Sequence, residues 1–359
     1  MAPRSRRHLF QCITIKRFSM FQRFKKLLEH SPGISVYIQA MVLHDGVGGA
    51  PCWITDCIYA IPTSVTSRIQ SLSLEGLYWE GLYPEAHEFF ATQFPAVENF
   101  SLAGTVVSIS HFNGLVNSFP RLSSLAVRDI GWNWEESELE DTQRPHHDGL
   151  HIDFLLLLDD TLFSWIIGGH LAPGVRRLEI KQNDRHDVTV ICGVLQYIGP
   201  SLEELHIHFA DPLDEISFHK SIYLRGFTLA QNTHLHSLRF SLKEVRNNMD
   251  QPDYLFWANR FLLKVRSQIR SIQFTIAGVD HRPNRSYWPS INAALRMEAF
   301  KSLEEVSVVT DESLVNPQEA EEAYTSYLSV AKERGVLRFE HTNRLKLVQS
   351  GVAVPIQWP

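Results

Sequence analysis

"SLEELHIHF", residues 201–209, sets its apolar side chains at Leu202, Leu205 and Ile207, with Glu203, Glu204, His206 and His208 threaded between them. The L-x-x-L-x-L spacing poses two questions. It is either one strand with incidental alternation or one copy of a repeated unit. The two histidines are either a ligand pair or the outer face of a scaffold.

The spacing recurs along the chain as Ile38-Met41-Leu43, Ile69-Leu72-Leu74, Val97-Phe100-Leu102 and Leu122-Leu125-Val127. It continues as Val175-Leu178-Ile180, Leu202-Leu205-Ile207, Leu235-Leu238-Phe240, Ile269-Ile272-Phe274 and Leu303-Val306-Val308. The steps between first members are 31, 28, 25, 53, 27, 33, 34 and 34 residues. A degenerate copy at Ile152-Leu155-Leu157 divides the long step into 30 and 23. In a chain that is 44% hydrophobic one match means little, so the regular step carries the argument.

Shared context supports it, because several copies follow a Pro or Gly, as in "FPAVENFSL", "FPRLSSLAV" and "APGVRRLEI". Helix-like stretches such as 188–198 and 253–265 lie between copies. After Asn316 a last helix is expected, with Pro317 at its first position, Glu319, Glu321 and Glu322 early, Lys332 and Arg334 late, and Gly335 as its stop. One strand and one helix at each step is a loosened leucine-rich-repeat pattern, in which no unit buries its apolar face alone and stacking makes one core. The expected fold is therefore α/β, an irregular leucine-rich-repeat solenoid (horseshoe) with a parallel concave sheet and outer helices.

The bulk numbers narrow the function. The chain has 359 residues, 21% of them charged, and a net charge of −6, which argues against general nucleic-acid binding through clustered cations. No apolar run approaches the ~18–20 residues of a membrane helix, so no membrane partner is expected. Cys12, Cys52, Cys57 and Cys192 suggest neither a disulfide framework nor a zinc site, and reduced thiols fit a cytoplasmic or nuclear setting. Arg4, Arg6, Arg7, Lys16, Arg17, Arg23, Lys25 and Lys26 precede Glu29, a composition shared with mitochondrial transit peptides.

A different account of that segment comes from "SRRHLFQCITIKR" followed by "FQRFKKLLEHSPGISVYIQAMVLHD". These stretches resemble the region just after the F-box in the F-box and leucine-rich-repeat-like proteins of mushroom-forming (basidiomycete) fungi. Phe24, Leu27, Leu28, Ser31, Pro32, Ile34, Tyr37 and Ile38 carry the likeness, and "IQSLSLEGLYW" and "PRLSSLAVRDIGW" look like that family's repeats. The resemblance implies a non-enzymatic scaffold, the substrate-recognition part of an F-box-type ubiquitin-ligase subunit. Met1 stands six residues before Arg7-His8-Leu9-Phe10, so only the tail of an F-box is expected in this chain. A ligase adaptor is then a partner only if an F-box lies upstream. Otherwise the chain is a free-standing leucine-rich-repeat binding protein. The organisation expected is an F-box tail and lead-in helix over 1–30, irregular repeats over 31–342 with an acidic insertion near 132–150, and a tail over 343–359.

No catalytic residue, metal ligand or cofactor is assigned from motifs. "HEFFA", 87–91, has Ala91 where a zinc-protease helix needs its second histidine. "DGVGGAP", 45–51, ends in Pro51 where a dinucleotide loop needs its last Gly, and reads as a turn. His146, His147, Asp148, His151 and Asp153 in "RPHHDGLHID" could supply a metal-dependent hydrolase, the reading from another class, but they adjoin an acidic loop.

Alternation in a strand then sorts the remaining polar residues. If Leu205 and Ile207 point inward, His206 and His208 point out. The equivalent outward positions read Val42, Ser73, Ser101, Ala126, Leu156, Glu179, His206, Arg239, Gln273, Ser307 and, two residues on, His44, Glu75, Ala103, Arg128, Leu158, Lys181, His208, Ser241, Thr275, Val309. Charge and hydrogen-bonding capacity gather near 175–240. Glu179, Lys181, His206, His208, Arg239 and Gln273 are thus the candidate surface for an unknown protein partner. Cross-strand pairs that satisfy one another are the plain alternative. A metal or catalytic role for the two histidines is set aside, because no carboxylate stands at fixed spacing from them.

Overall fold

The computed structural model describes residues 8–45, 53–133, 150–157, 161–167, 171, 174–182, 188–209, 228–244, 254–278, 287–310 and 316–341. They fall into two compact units, one of residues 1–159 with 169–172 and one of residues 160–168 with 173–359.

In the first unit, β1 (Cys12–Ile15), β2 (Ala40–His44), β3 (Ser71–Glu75), β4 (Asn99–Ala103), β6 (Ser124–Arg128) and β8 (Phe154–Leu157) run side by side, all parallel. In the second, β9 (Arg177–Gln182), β10 (Glu204–Phe209), β11 (Ser237–Glu244), β12 (Ser271–Gly278), β13 (Glu305–Thr310) and β14 (Leu337–His341) do the same. This is the α/β leucine-rich-repeat fold expected from the spacing. Every member of the ten apolar triplets is buried, none more than 7% exposed. The degenerate copy is a true strand, with Leu155 opposite Leu125 and Leu157 opposite Val127.

Parallel neighbours need a crossover, and helices supply it. The helix Phe18–His30 buries Phe21, Phe24 and Leu28 and leaves Arg23, Lys25 and Lys26 exposed, so this part of the basic run is a solvated face. The expected helices at 188–198 and 253–265 form as Val188–Ile198 and Tyr254–Leu262. In the second unit aromatic rings lock strands to helices. Phe240 packs on Phe274 at 5.7 Å and Phe261 at 6.4 Å, and Phe274 meets Trp288 edge-on at 5.3 Å. Each such fully buried ring is worth about 1.5–3 kcal/mol of transfer free energy. Asn232, 1% exposed, donates from Nδ2 to the carbonyls of Leu195 (2.9 Å) and Gly199 (2.8 Å). It thereby satisfies acceptors that the end of helix Val188–Ile198 leaves open.

The helix after Asn316 begins as expected, with the Asn316 side chain accepting from the Gln318 N–H at 3.1 Å and Pro317 in the first turn. It is two helices, however, Pro317–Tyr327 and Ser329–Glu333. Leu328, at φ −101° and ψ 44°, leaves helical geometry, and its side chain is completely buried. Gly335, at φ 71°, closes the segment.

Three strands of the first unit end alike. Gly76 (φ 68°), Gly104 (φ 56°) and Asp129 (φ 50°) stand one residue past β3, β4 and β6 at matching register, each left-handed. After this turn the chain builds a second, shorter parallel ladder, with Tyr78 bridged to Val106 and β5 (Val106–Val107) paired with β7 (Gly131–Trp132). Trp132 packs edge-on against Phe112 at 5.7 Å. Of the acidic insertion near 132–150, residues 134–149, Trp134 among them, lie outside the described residues, as does the tail over 343–359.

Candidate functional site

The register of the second unit places Glu179 opposite His206, His206 opposite Arg239 and Arg239 opposite Gln273. One rung on, Lys181, His208, Ser241 and Thr275 line up. The outward ladder read from alternation is therefore physically contiguous, with neighbouring strands about 4.8 Å apart.

Three of the six candidate residues converge. His208 Nε2 lies 2.5 Å from Glu179 Oε1, a diagonal contact from one rung to the next, and His206 Nδ1 lies 3.5 Å from the same oxygen. The two imidazoles are 4.0 Å apart at their centroids. On its other side His206 Nε2 is 2.8 Å from Ser241 Oγ. All three side chains are half-buried, at 22–25% exposure.

This environment fixes the charges. Burial alone would lift the Glu179 carboxyl, but hydrogen bonds and charge from His206 and His208 outweigh it and hold the group well below the usual carboxylate range. Burial, with His208 and Arg239 close by, pushes His206 below the usual imidazole range against the pull of Glu179. At neutral pH the centre is an ionised carboxylate facing a neutral imidazole.

The other three residues take separate roads. Arg239 is exposed and its Nη2 turns to Glu204 Oε2, 3.8 Å away and one rung back, rather than to His206. Gln273 Nε2 donates to Thr275 Oγ1 at 3.1 Å along its own strand. Lys181 is half-buried beside His208 in register. Glu204 and Ser241 are outward by the same alternation but are not among the six candidates, although the in-register ladder places Ser241 opposite His208 and Glu204 one rung from Arg239.

Motifs set aside in the sequence find structural roles. His87 of "HEFFA" bonds the Trp79 carbonyl at 2.9 Å and stacks on the Trp79 ring. Of the 144–153 cluster, His151 and Asp153 are exposed, while His146, His147 and Asp148 lie outside the described residues, as does most of "DGVGGAP". A triad-like group that the sequence did not reveal joins Ser108, His111 and Glu80. Ser108 Oγ is 2.9 Å from His111 Nδ1, and Glu80 Oε1 lies 3.8 Å from that same nitrogen. A relay needs hydroxyl and carboxylate on opposite ring nitrogens. Here Ser108 accepts from the His111 N–H at 3.3 Å, and the group is a helix cap.

Among the described residues no helix is long and apolar enough to cross a membrane. No protein-family model matches the chain. No curated protein matches it. Among solved structures it is similar to the leucine-rich-repeat-containing protein LegL7 from Legionella pneumophila, at 12% identity over 89% of this chain and 90% of that one, with a TM-score of 0.46.

Proposed function

We propose that this chain is a non-enzymatic protein-interaction scaffold that takes a protein partner on the outward face of β9 to β12. The observation that carries the reading is the half-buried polar centre of Glu179, His206 and His208, flanked by exposed Arg239 and by Gln273, on strands whose opposite face is a closed aromatic core. A rigid sheet presents these groups with little ordering cost on binding. We further propose that the partner is the substrate of an F-box-type ubiquitin ligase. That part rests on the resemblance carried by Arg7–Phe10 and Phe24–Ile38.

Quantitative binding of a captured partner tests the scaffold. Arg239→Glu should leave the fold intact, since cross-strand charge pairs are worth only ~0.2–1 kcal/mol. Losing the mate of a charge buried in an interface costs about 2–5 kcal/mol, so affinity should fall roughly thirty-fold or more. Ser73→Glu, on the equivalent rung of the first unit, should retain the partner. Equal retention by both variants would move recognition off this face. Co-purification of a cullin-ligase adaptor with the gene product expressed together with its natural upstream sequence tests the ligase part. A scaffold that holds its partner but never the adaptor is the free-standing repeat protein.

A further inference from the structure

We propose that Glu179, His206 and His208 form a binding site for one divalent transition-metal ion of the zinc class. This does not require the face to bind a protein.

Histidines at i and i+2 on one strand point to the same side, and the neighbouring strand brings a carboxylate between them. The three ligand atoms all lie within 4.8 Å of one another. Tetrahedral Zn²⁺ with bonds of about 2.0–2.1 Å needs ligands roughly 3.3 Å apart. The His206 Nδ1 to Glu179 Oε1 distance of 3.5 Å already fits, and the His208 contact of 2.5 Å has to open by about 0.8 Å, within reach of a side-chain rotation.

The surroundings suit a metal as well. Ser241 Oγ sits on His206 Nε2, which orients the ring, leaves Nδ1 toward the carboxylate, and lets the coordinating tautomer donate Nε2–H to the hydroxyl. Two imidazoles and one carboxylate favour zinc, cobalt or nickel over magnesium or calcium. Three protein ligands leave one coordination position for water or an incoming donor.

The test uses the intact chain, stripped of metal and titrated with Zn²⁺ against a chromophoric chelator, and with Co²⁺ followed by its visible ligand-field bands. The parent should take one tight equivalent and show a tetrahedral Co²⁺ spectrum. His208→Ala and Glu179→Gln should each lose at least about tenfold in Zn²⁺ affinity, and Ser241→Ala a similar factor, as outer-sphere changes commonly do. The melting midpoint should rise with Zn²⁺ in the parent and not in His208→Ala, whose own melt without metal shows that it is folded. A His146→Ala, His147→Ala double variant should bind as the parent does. Tight binding lost in that double variant but kept in His208→Ala would overturn the proposal. So would a parent that binds no Zn²⁺ more tightly than His208→Ala.

Discussion

In the first unit the outward positions Ser101, Ala126 and Leu156 are buried, after half-exposed Val42 and Ser73, whereas in the second Glu179, His206 and Gln273 at the same place in the repeat stay half-exposed and Arg239 fully so, before Ser307 is buried again. The inward faces of the two units follow one pattern, apolar and closed, from Met41 and Leu43 to Val306 and Val308. Alternation therefore tells which side chains share a face, but not whether that face is wet. The core imposes the inward residues on every repeat. The outward residues are free to differ, and charged and hydrogen-bonding side chains have collected on one set of them.

The sharpest break of this comparison would come inside the shared pattern. Leu205→Asp puts a carboxylate among fully buried side chains and removes a leucine, so a loss of at least ~4 kcal/mol is expected from the cavity and the unpaired charge. His206→Ala, one residue away, should cost under about 1 kcal/mol in the same denaturant titration. Similar losses from both would mean that inward and outward are misassigned.

Next comes the contrast between the outward faces. Leu156→Ala, at a buried outward position, should cost about 2–3 kcal/mol by leaving a cavity. Gln273→Ala, at the matching half-exposed position of the second unit, should stay within ~0.5 kcal/mol. If Leu156→Ala proves as mild, the first unit's outward face is solvated and the contrast disappears.

The smallest effect is a dependence on pH carried by the second unit. His206 is held below the usual imidazole range, so the unfolded chain binds its proton more readily than the folded one. Its contribution is whole above about pH 6.5 and drains as pH falls through the folded value. Glu179, held below its usual range, adds a loss of the same sign below about pH 4.3. Unfolding midpoints should fall between pH 7.5 and 5.5, and more steeply for the parent than for His206→Gln. Parallel slopes would show that His206 does not titrate with folding.

Much of this was legible in the residues. The ten triplets located ten strands, because a buried face must repeat its apolar spacing wherever a neighbour stacks on both sides. The strands at the two ends escaped notice for the converse reason. Cys12–Ile15 is too short to show the spacing, and the two apolar residues of Leu337–His341 are only half-buried. The break at Leu328 was also hidden, since no Gly or Pro marks it. At the site, register followed from the spacing and put Glu179 beside His206. The contact of Glu179 with His208 is diagonal and depends on side-chain rotamers, as does the turn of Arg239 toward Glu204. For that reason the carboxylate that the sequence found missing from the histidine pair was already on the adjacent strand.

The left-handed exit turn at Gly76, Gly104 and Asp129 bears on how such a chain can change over generations. Each strand of that series is finished, and the short ladder through Tyr78, Val106 and Gly131 fixed, within a few residues of the turn. Residues added after Trp132 would enter beyond a turn and a ladder that are already fixed. Each doubling of a loop costs only about 0.6 kcal/mol of closure entropy. The repeat is thus a reading frame for insertions, able to gain or lose sequence between strands while the register on either side is preserved.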